Sequence, residues 1–231
     1  MAEEQRYQLV RTMRCKNVNV PGVLGTLTTA IGDAGANIGA IRLVQMGHHY
    51  LVRDLDVYVS DEAHLDKVVQ AISALKDVTL VEIRDEVLEL HRGGKIKMVS
   101  TFPIDSLTVL RRVYTPGVAD VCRRIQRDPS LKNLYTSIPA SVAIVTNGTA
   151  ILGLGNIGTV AGMPVMEGKA ALLQQLVGIS GIPVLLDSTD ADDFVNTVKR
   201  ISNTFGGIHL EDVSAPFCFE VTERLSRDLN I

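Results

Sequence analysis

The sequence predicts two domains of different class, an α+β unit of order β-α-β-β-α-β followed by an α/β domain built on a parallel sheet. Three observations carry this. The first eighty or so residues alternate extended runs with two amphipathic helical stretches, the last fifty repeat strand and helix twice, and between Glu86 and Pro103 the periodicity breaks. With 231 residues, 46% of them hydrophobic and 21% charged, the chain can fill two ordinary cores and is not disordered.

Tyr7 to Cys15 reads as a strand. Asn19, Val20, Pro21 and Gly22 then open a helix whose Val23, Leu24, Leu27, Ala30, Ile31 and Ala34 share one face, with Pro21 suited to a first turn and Gly35 to the end. Residues 38–44 are extended. After Gly47, Leu51, Leu55, Val57 and Val59 alternate with Asp54, Asp56 and Tyr58, which predicts a hairpin with one wet face and His48 and His49 at its tip. A helix carrying Leu65, Val68, Val69, Ile72 and Leu75 and a strand over 78–83 complete the unit. This order gives a four-stranded antiparallel sheet with both helices on one face, the ferredoxin-like plan. We place the first domain at 1–86, a linker at 87–106 and the second domain at 107–231. The linker's His91, Arg92, Lys95 and Lys97 read as a solvated connector in preference to an anion site.

In the second domain Leu107, Leu110, Arg111 and Val113 lead through Tyr114, Thr115, Pro116 and Gly117 into a short helix with Val118, Val121, Cys122 and Ile125, and Cys122 is expected in a core. A buried strand at 142–145, an Asn147-Gly148 turn and a second apolar run (Ile151, Leu152, Leu154) follow. A helix at 168–177 then precedes strand 182–186, helix 190–201, strand 208–210 and helix 216–229.

Composition narrows the function. A net charge of −3 offers no general attraction to nucleic acid. Three scattered cysteines, Cys15, Cys122 and Cys218, argue against a thiolate zinc site and a secreted disulfide framework. The polar opening MAEEQRYQ is no signal peptide and no run is long enough to span a membrane, so a cytoplasmic location is expected.

Four places carry chemistry. Gly153 to Gly158 match GxGxxG, but Pro164 is expected to interrupt the helix that a dinucleotide fingerprint opens, and Gly178 to Gly181 supply no ribose-binding acid. A tight turn beside an active site is the better reading. Lys169, near the expected start of a helix, is either a base whose pKa the dipole lowers or a solvated first-turn residue. Glu211 and Asp212 follow a parallel strand, where open α/β sheets place ligands. They are either oxygen donors to Mg²⁺ or Mn²⁺, or, for Asp212, a helix cap. Tyr114 either aims its phenol into a cleft or is packed.

Taken together, YTPGVADVC at 114–122, NGTAILGLGNIG at 147–158, PVMEGKAAL at 164–172 and FGGIHLEDVSAP at 205–216 resemble the bacterial malic enzymes from about Leu90 onward. The leading segment, with NVPGVLGTLTTAIGDAGANI at 19–38, resembles an ACT domain, a small regulatory module of the ferredoxin-like plan. The resemblance implies oxidation of malate by NAD(P)⁺ and decarboxylation to pyruvate and CO₂. It casts Lys169 as general base, Tyr114 as the acid protonating C3, and Glu211 and Asp212 as ligands of Mg²⁺ or Mn²⁺. It also implies malate or a related dicarboxylate as ligand, an amino-acid effector near Asn19, Pro21 and Gly22, and a homo-oligomer, with homodimer the simplest form.

The sequence departs from the family's pattern as well. It stops at Ile231, before a further carboxylate ligand and the dinucleotide-binding domain, so NAD(P) is expected only in a complete enzyme. Asn147, Thr159 and His209 stand where Asp, Pro and Asn are usual. The expectation is that this chain alone does not turn over malate; the competing reading is a non-catalytic ACT-type sensor.

Overall fold

The computed structural model describes residues 9–231, which fall into two compact units divided between Arg92 and Gly93. Residues 7 and 8, expected to begin the leading strand, lie outside the described residues.

In the first unit, β1 (Leu9–Val18), α1 (Val23–Asp33), β2 (Asn37–Met46), β3 (Tyr50–Val59), α2 (Glu62–Ser73) and β4 (Val78–Arg84) run in the expected order. The antiparallel sheet has the order β2-β3-β1-β4. Alternation along the strands sends Met13 and Cys15 of β1 and Leu55, Val57 and Val59 of β3 into one core with Leu27 and Ile31 of α1 and Leu65, Val68 and Ile72 of α2. Asp61 caps α2 by accepting from the His64 backbone N–H. The turn carrying Asn19, Pro21 and Gly22 is exposed, and the Asn19 backbone N–H donates to the His49 carbonyl of the β2–β3 turn.

The sheet's other face is less wet than its alternation suggests. Asp54 is only 6% exposed. Arg14 grips it with two hydrogen bonds of 2.8 and 2.9 Å, Arg84 adds a third of 2.5 Å, and Arg42 pairs with both oxygens of Asp56. The Arg14 hydrogen bond, helped by Arg84 and opposed by burial, holds the Asp54 carboxyl below the usual carboxylate range. The aperiodic stretch after β4 contains a short helix, α3 (Glu86–His91), capped by Asp85.

The second unit begins with α4 (Leu107–Val113), α5 (Val118–Arg127) and the single turn α6 (Lys132–Tyr135), none of which contributes a buried residue. Cys122 is therefore exposed, against the expectation of a core position, because α5 packs on no core of this chain. Next come β5 (Ser141–Thr146), α7 (Gly158–Val177), β6 (Ser180–Leu185), α8 (Ala191–Ser202), β7 (Gly207–Leu210) and α9 (Phe217–Asp228). The sheet is parallel, in the order β6-β5-β7. Central β5 reads as a continuous apolar run because both its faces are covered. Ile144 packs on Met166 and Ala170 of α7, while Ala143 and Val145 meet Phe194, Val195 and Val198 of α8 and Val221 and Leu225 of α9.

Two further expectations are corrected. Helix α7 starts at Gly158 and runs through Pro164, a position whose missing N–H costs one helical hydrogen bond that burial of Gly162, Met166 and Ala170 offsets. The apolar run after Asn147 is not a strand: Leu152 is 91% exposed, in a turn closed by an Ile151–Gly155 bridge. Among the described residues no helix is long and apolar enough to cross a membrane.

Candidate functional site

The chain passes from β5 to β6 on one side and then back across the sheet to β7 on the other, and the C-terminal ends of such parallel strands are where open α/β sheets place ligands. Two of the predicted chemical groups meet there. Lys169, on α7, brings its Nζ to 2.9 Å from Oε2 of Glu211, the first residue after β7. His209 Nε2 lies 2.5 Å from the same oxygen.

Lys169 arrives by a different route from the expected one. It lies in the interior of the twenty-residue α7, far from its N-terminus, so the helix dipole, which acts over the first turn, does not bear on it. Its partner is a side chain instead. Burial pushes the Glu211 carboxyl up, but the Lys169 and His209 hydrogen bonds outweigh burial and leave it below its ordinary value. Asp212 goes the other way, raised first by burial and then by the charge of Glu211. Asp212 also adopts φ 52°, the only non-glycine in the left-handed region among the described residues, and it does not cap α9, whose N-cap position is Pro216.

That backbone geometry is fixed from behind. The Asp212 carbonyl accepts from the Ala150 N–H at 3.0 Å and lies 3.4 Å from the Thr146 hydroxyl, which also accepts from the Gly148 N–H at 3.0 Å. Thr149 donates to Asn147 at 2.6 Å and accepts from the Ser214 N–H at 2.9 Å, while Asn147 Nδ2 reaches the Ser188 carbonyl at 3.1 Å. One small polar network thus ties the loops after β5, β6 and β7 together. Sequence reasoning did not find it, although four consecutive residues capable of turn hydrogen bonds, Thr146 to Thr149, directly after an apolar strand were the signal.

The last GxGxxG glycine, Gly158, serves the same loop. Gly148 sits at φ 70° with its backbone against Gly158: a β-carbon there would lie 2.3 Å from the Gly158 carbonyl oxygen. The amides of Ile157 and Gly158 both donate to the Gly148 carbonyl. The last glycine does open a helix, but its N-terminal amide is spent on this closure.

Tyr114 does not join the cluster within this chain. It ends α4, is 67% exposed, and among the described residues only its backbone makes hydrogen bonds, to Leu110 and Val118. For a metal, the carboxylate oxygens of Glu211 and Asp212 are the right chemistry for a hard divalent cation. No set of three or more His, Cys, Asp or Glu placed to hold one occurs among the described residues.

The family model for the malic enzyme N-terminal domain matches residues 93–226, more than half of the chain and the whole of this site. The chain belongs to the malic enzyme family. Residues 7–82 match the ACT domain. The NAD-dependent malic enzyme 1 of Bacillus subtilis is 54% identical over 96% of this chain and 51% of its own length. The NAD-dependent malic enzyme of Geobacillus stearothermophilus is 42% identical over 89% and 43%. The chain thus spans about half the length of these relatives. The crystal structure of the malic enzyme from Pyrococcus horikoshii superposes with a TM-score of 0.62 at 44% identity, covering 63% of this chain and 35% of that one. The ACT and malic enzyme matches agree with the fold read from the sequence, a ferredoxin-like unit followed by an α/β unit with a parallel sheet.

Proposed function

We propose that this chain carries the acid–base part of an enzyme that oxidises malate and decarboxylates it to pyruvate and CO₂. The observation that supports this most directly is the convergence of Lys169, Glu211 and Asp212 at the C-terminal ends of β5 and β7 in a malic enzyme domain. Lys169 takes the C2 hydroxyl proton as the C2 hydride leaves, and Tyr114 returns a proton to C3 after the C3–C4 bond has broken and CO₂ has left. When bound, NAD(P)⁺ would supply the hydride acceptor and a divalent cation the Lewis acidity, and Glu211 and Asp212 would hold the cation. The Thr146–Thr149 network keeps the two acids in place.

Tyr114 needs a neighbour to reach this site, and a homo-oligomer supplies one. The support is an N-terminal run of helices, α4 to α6, that buries nothing while exposing Leu107, Leu110, Leu134 and Tyr135. At the ACT domain we place a small effector, an amino acid, at the exposed Asn19, Pro21 and Gly22 turn, and we place the protein in the cytoplasm.

The experiment is a malate-dependent NAD(P)⁺ reduction assay with Mn²⁺, run on this chain alone and on a longer protein that contains it with a dinucleotide-binding domain. Activity in the longer protein, lowered by about 10²–10⁴-fold in Lys169→Ala and Tyr114→Phe, is expected. Unchanged turnover in Lys169→Ala would remove the reading. Calorimetry against amino acids, with Gly22→Asp as control, tests the effector turn.

A further inference from the structure

Lys95, read from sequence as part of a solvated basic connector, is half-buried and tied to the second unit. Its backbone N–H donates to Glu167 Oε2 at 3.0 Å and its Nζ donates to the Pro164 carbonyl at 2.6 Å, so the chain at Gly94 and Lys95 is strapped along α7. Gly94, at φ 82°, lies so close that a β-carbon there would stand 2.9 Å from Glu167 Oε1.

The strap and the acid–base site hold opposite flanks of one helix. The buried face of α7 is Gly162, Met166 and Ala170. At about 100° per residue, Glu167 flanks that face on the side following Met166, and Lys169 flanks it on the side preceding Ala170. Glu167 is therefore tied to the strap on one side while Lys169 is tied to Glu211 on the other. Met166 and Ala170 are close-packed on the sheet, and the polar ties on the two flanks add a directional restraint to that packing. A roll of about 10° moves a group at the 5–6 Å side-chain radius by about 1 Å. An error of that size costs about 10²-fold in a positioned reaction.

We propose that Glu167 is a positioning residue for Lys169: anchored by Gly94 and Lys95, it fixes the roll of α7 and so the reach of the Lys169 amine to Glu211. This rests on the reading of Lys169 as the base only for its catalytic consequence, not for the geometry.

The test is competitive acylation of this chain by an amine reagent at one fixed pH, read by peptide mass spectrometry, with Lys199 on α8 as internal reference. Glu167→Ala is expected to raise the Lys169 to Lys199 labelling ratio by about fivefold, the change that follows loss of a part-buried ion pair. Glu167→Gln, which keeps an acceptor for the Lys95 N–H, stays near the wild-type ratio. Gly94→Ala, which pushes on the Glu167 carboxylate from the strap side, behaves like Glu167→Ala and decides the matter if that variant does not fold. An unchanged ratio in natively folded Glu167→Ala or Gly94→Ala overturns the proposal. In the longer enzyme, Glu167→Ala should lower kcat about tenfold or more while KM for NAD(P)⁺ holds. If Lys169→Ala leaves kcat intact while the labelling ratio responds to Glu167, the base assignment fails and the positioning stands.

Discussion

Lys169 Nζ and His209 Nε2 converge on a single oxygen of Glu211, at 2.9 and 2.5 Å, while the neighbouring Asp212 carboxylate is engaged by neither. The two adjacent acids are thus unequal: one is compensated and held below its ordinary pKa, the other is raised by burial and by its neighbour's charge.

That inequality makes Asp212 the more informative acid to change. Asp212→Asn removes the uncompensated charge and should weaken Mn²⁺ binding about tenfold or more, as measured by electron paramagnetic resonance of free Mn²⁺. Affinity equal to wild type would take Asp212 out of the ligand set.

The Asp54 cluster predicts a pH dependence of the first unit. Asp54 has a depressed pKa when folded, so its ion pairs stabilise above the unfolded carboxylate value near 3.9 and are lost as pH falls through the lower folded value. Urea unfolding should give a stability contribution from this group that is flat from pH 7 to about 5 and declines below about pH 4. Asp54→Asn leaves Arg14 and Arg84 without their carboxylate and should cost about 3 kcal/mol at pH 7. A loss under about 0.5 kcal/mol would mean the cluster is solvated in solution.

The thiols should separate by reactivity. Cys15 is fully buried and burial pushes its pKa up to about 11, whereas Cys122 is exposed on α5. Reaction with a thiol reagent at pH 8 should modify Cys122 ahead of Cys15, quickly in the dissociated chain and more slowly in an oligomer that covers α5, with Cys15 reacting only on unfolding. Rapid labelling of Cys15 in the folded chain would contradict the packing of β1.

The glycine loop offers an internal comparison. Gly148→Ala meets both a left-handed backbone and the Gly158 carbonyl, and should destabilise the second unit by about 2 kcal/mol or more. Gly153→Ala, at φ 76° with open space around it, should cost only about 1 kcal/mol. Equal effects in chemical unfolding would show that the Gly148–Gly158 contact contributes nothing.

Much of this architecture was legible because it rests on local periodicity. The alternation of Leu51 to Val59 and the three- and four-residue spacing of Leu65, Val68 and Ile72 determine which faces are buried, and the motifs around Lys169 and Glu211 marked two groups that do meet. What escaped depends on partners distant in sequence. Nothing near Lys95 announces Glu167, seventy-two residues away, or Asp54's two arginines on different strands. Pro164 misled because a proline is a strong local breaker, yet the buried stripe through Gly162, Met166 and Ala170 carries the helix past it. Cys122 misled because amphipathic spacing shows that a face wants cover without saying what covers it.

The left-handed backbone at Asp212 also limits how this position can change over generations. Asparagine and glycine tolerate that conformation, whereas branched or bulky side chains pay for it in steric repulsion. Replacement by asparagine would keep the shape of this turn while its charge disappears, so a chemically silent protein would look unaltered in outline.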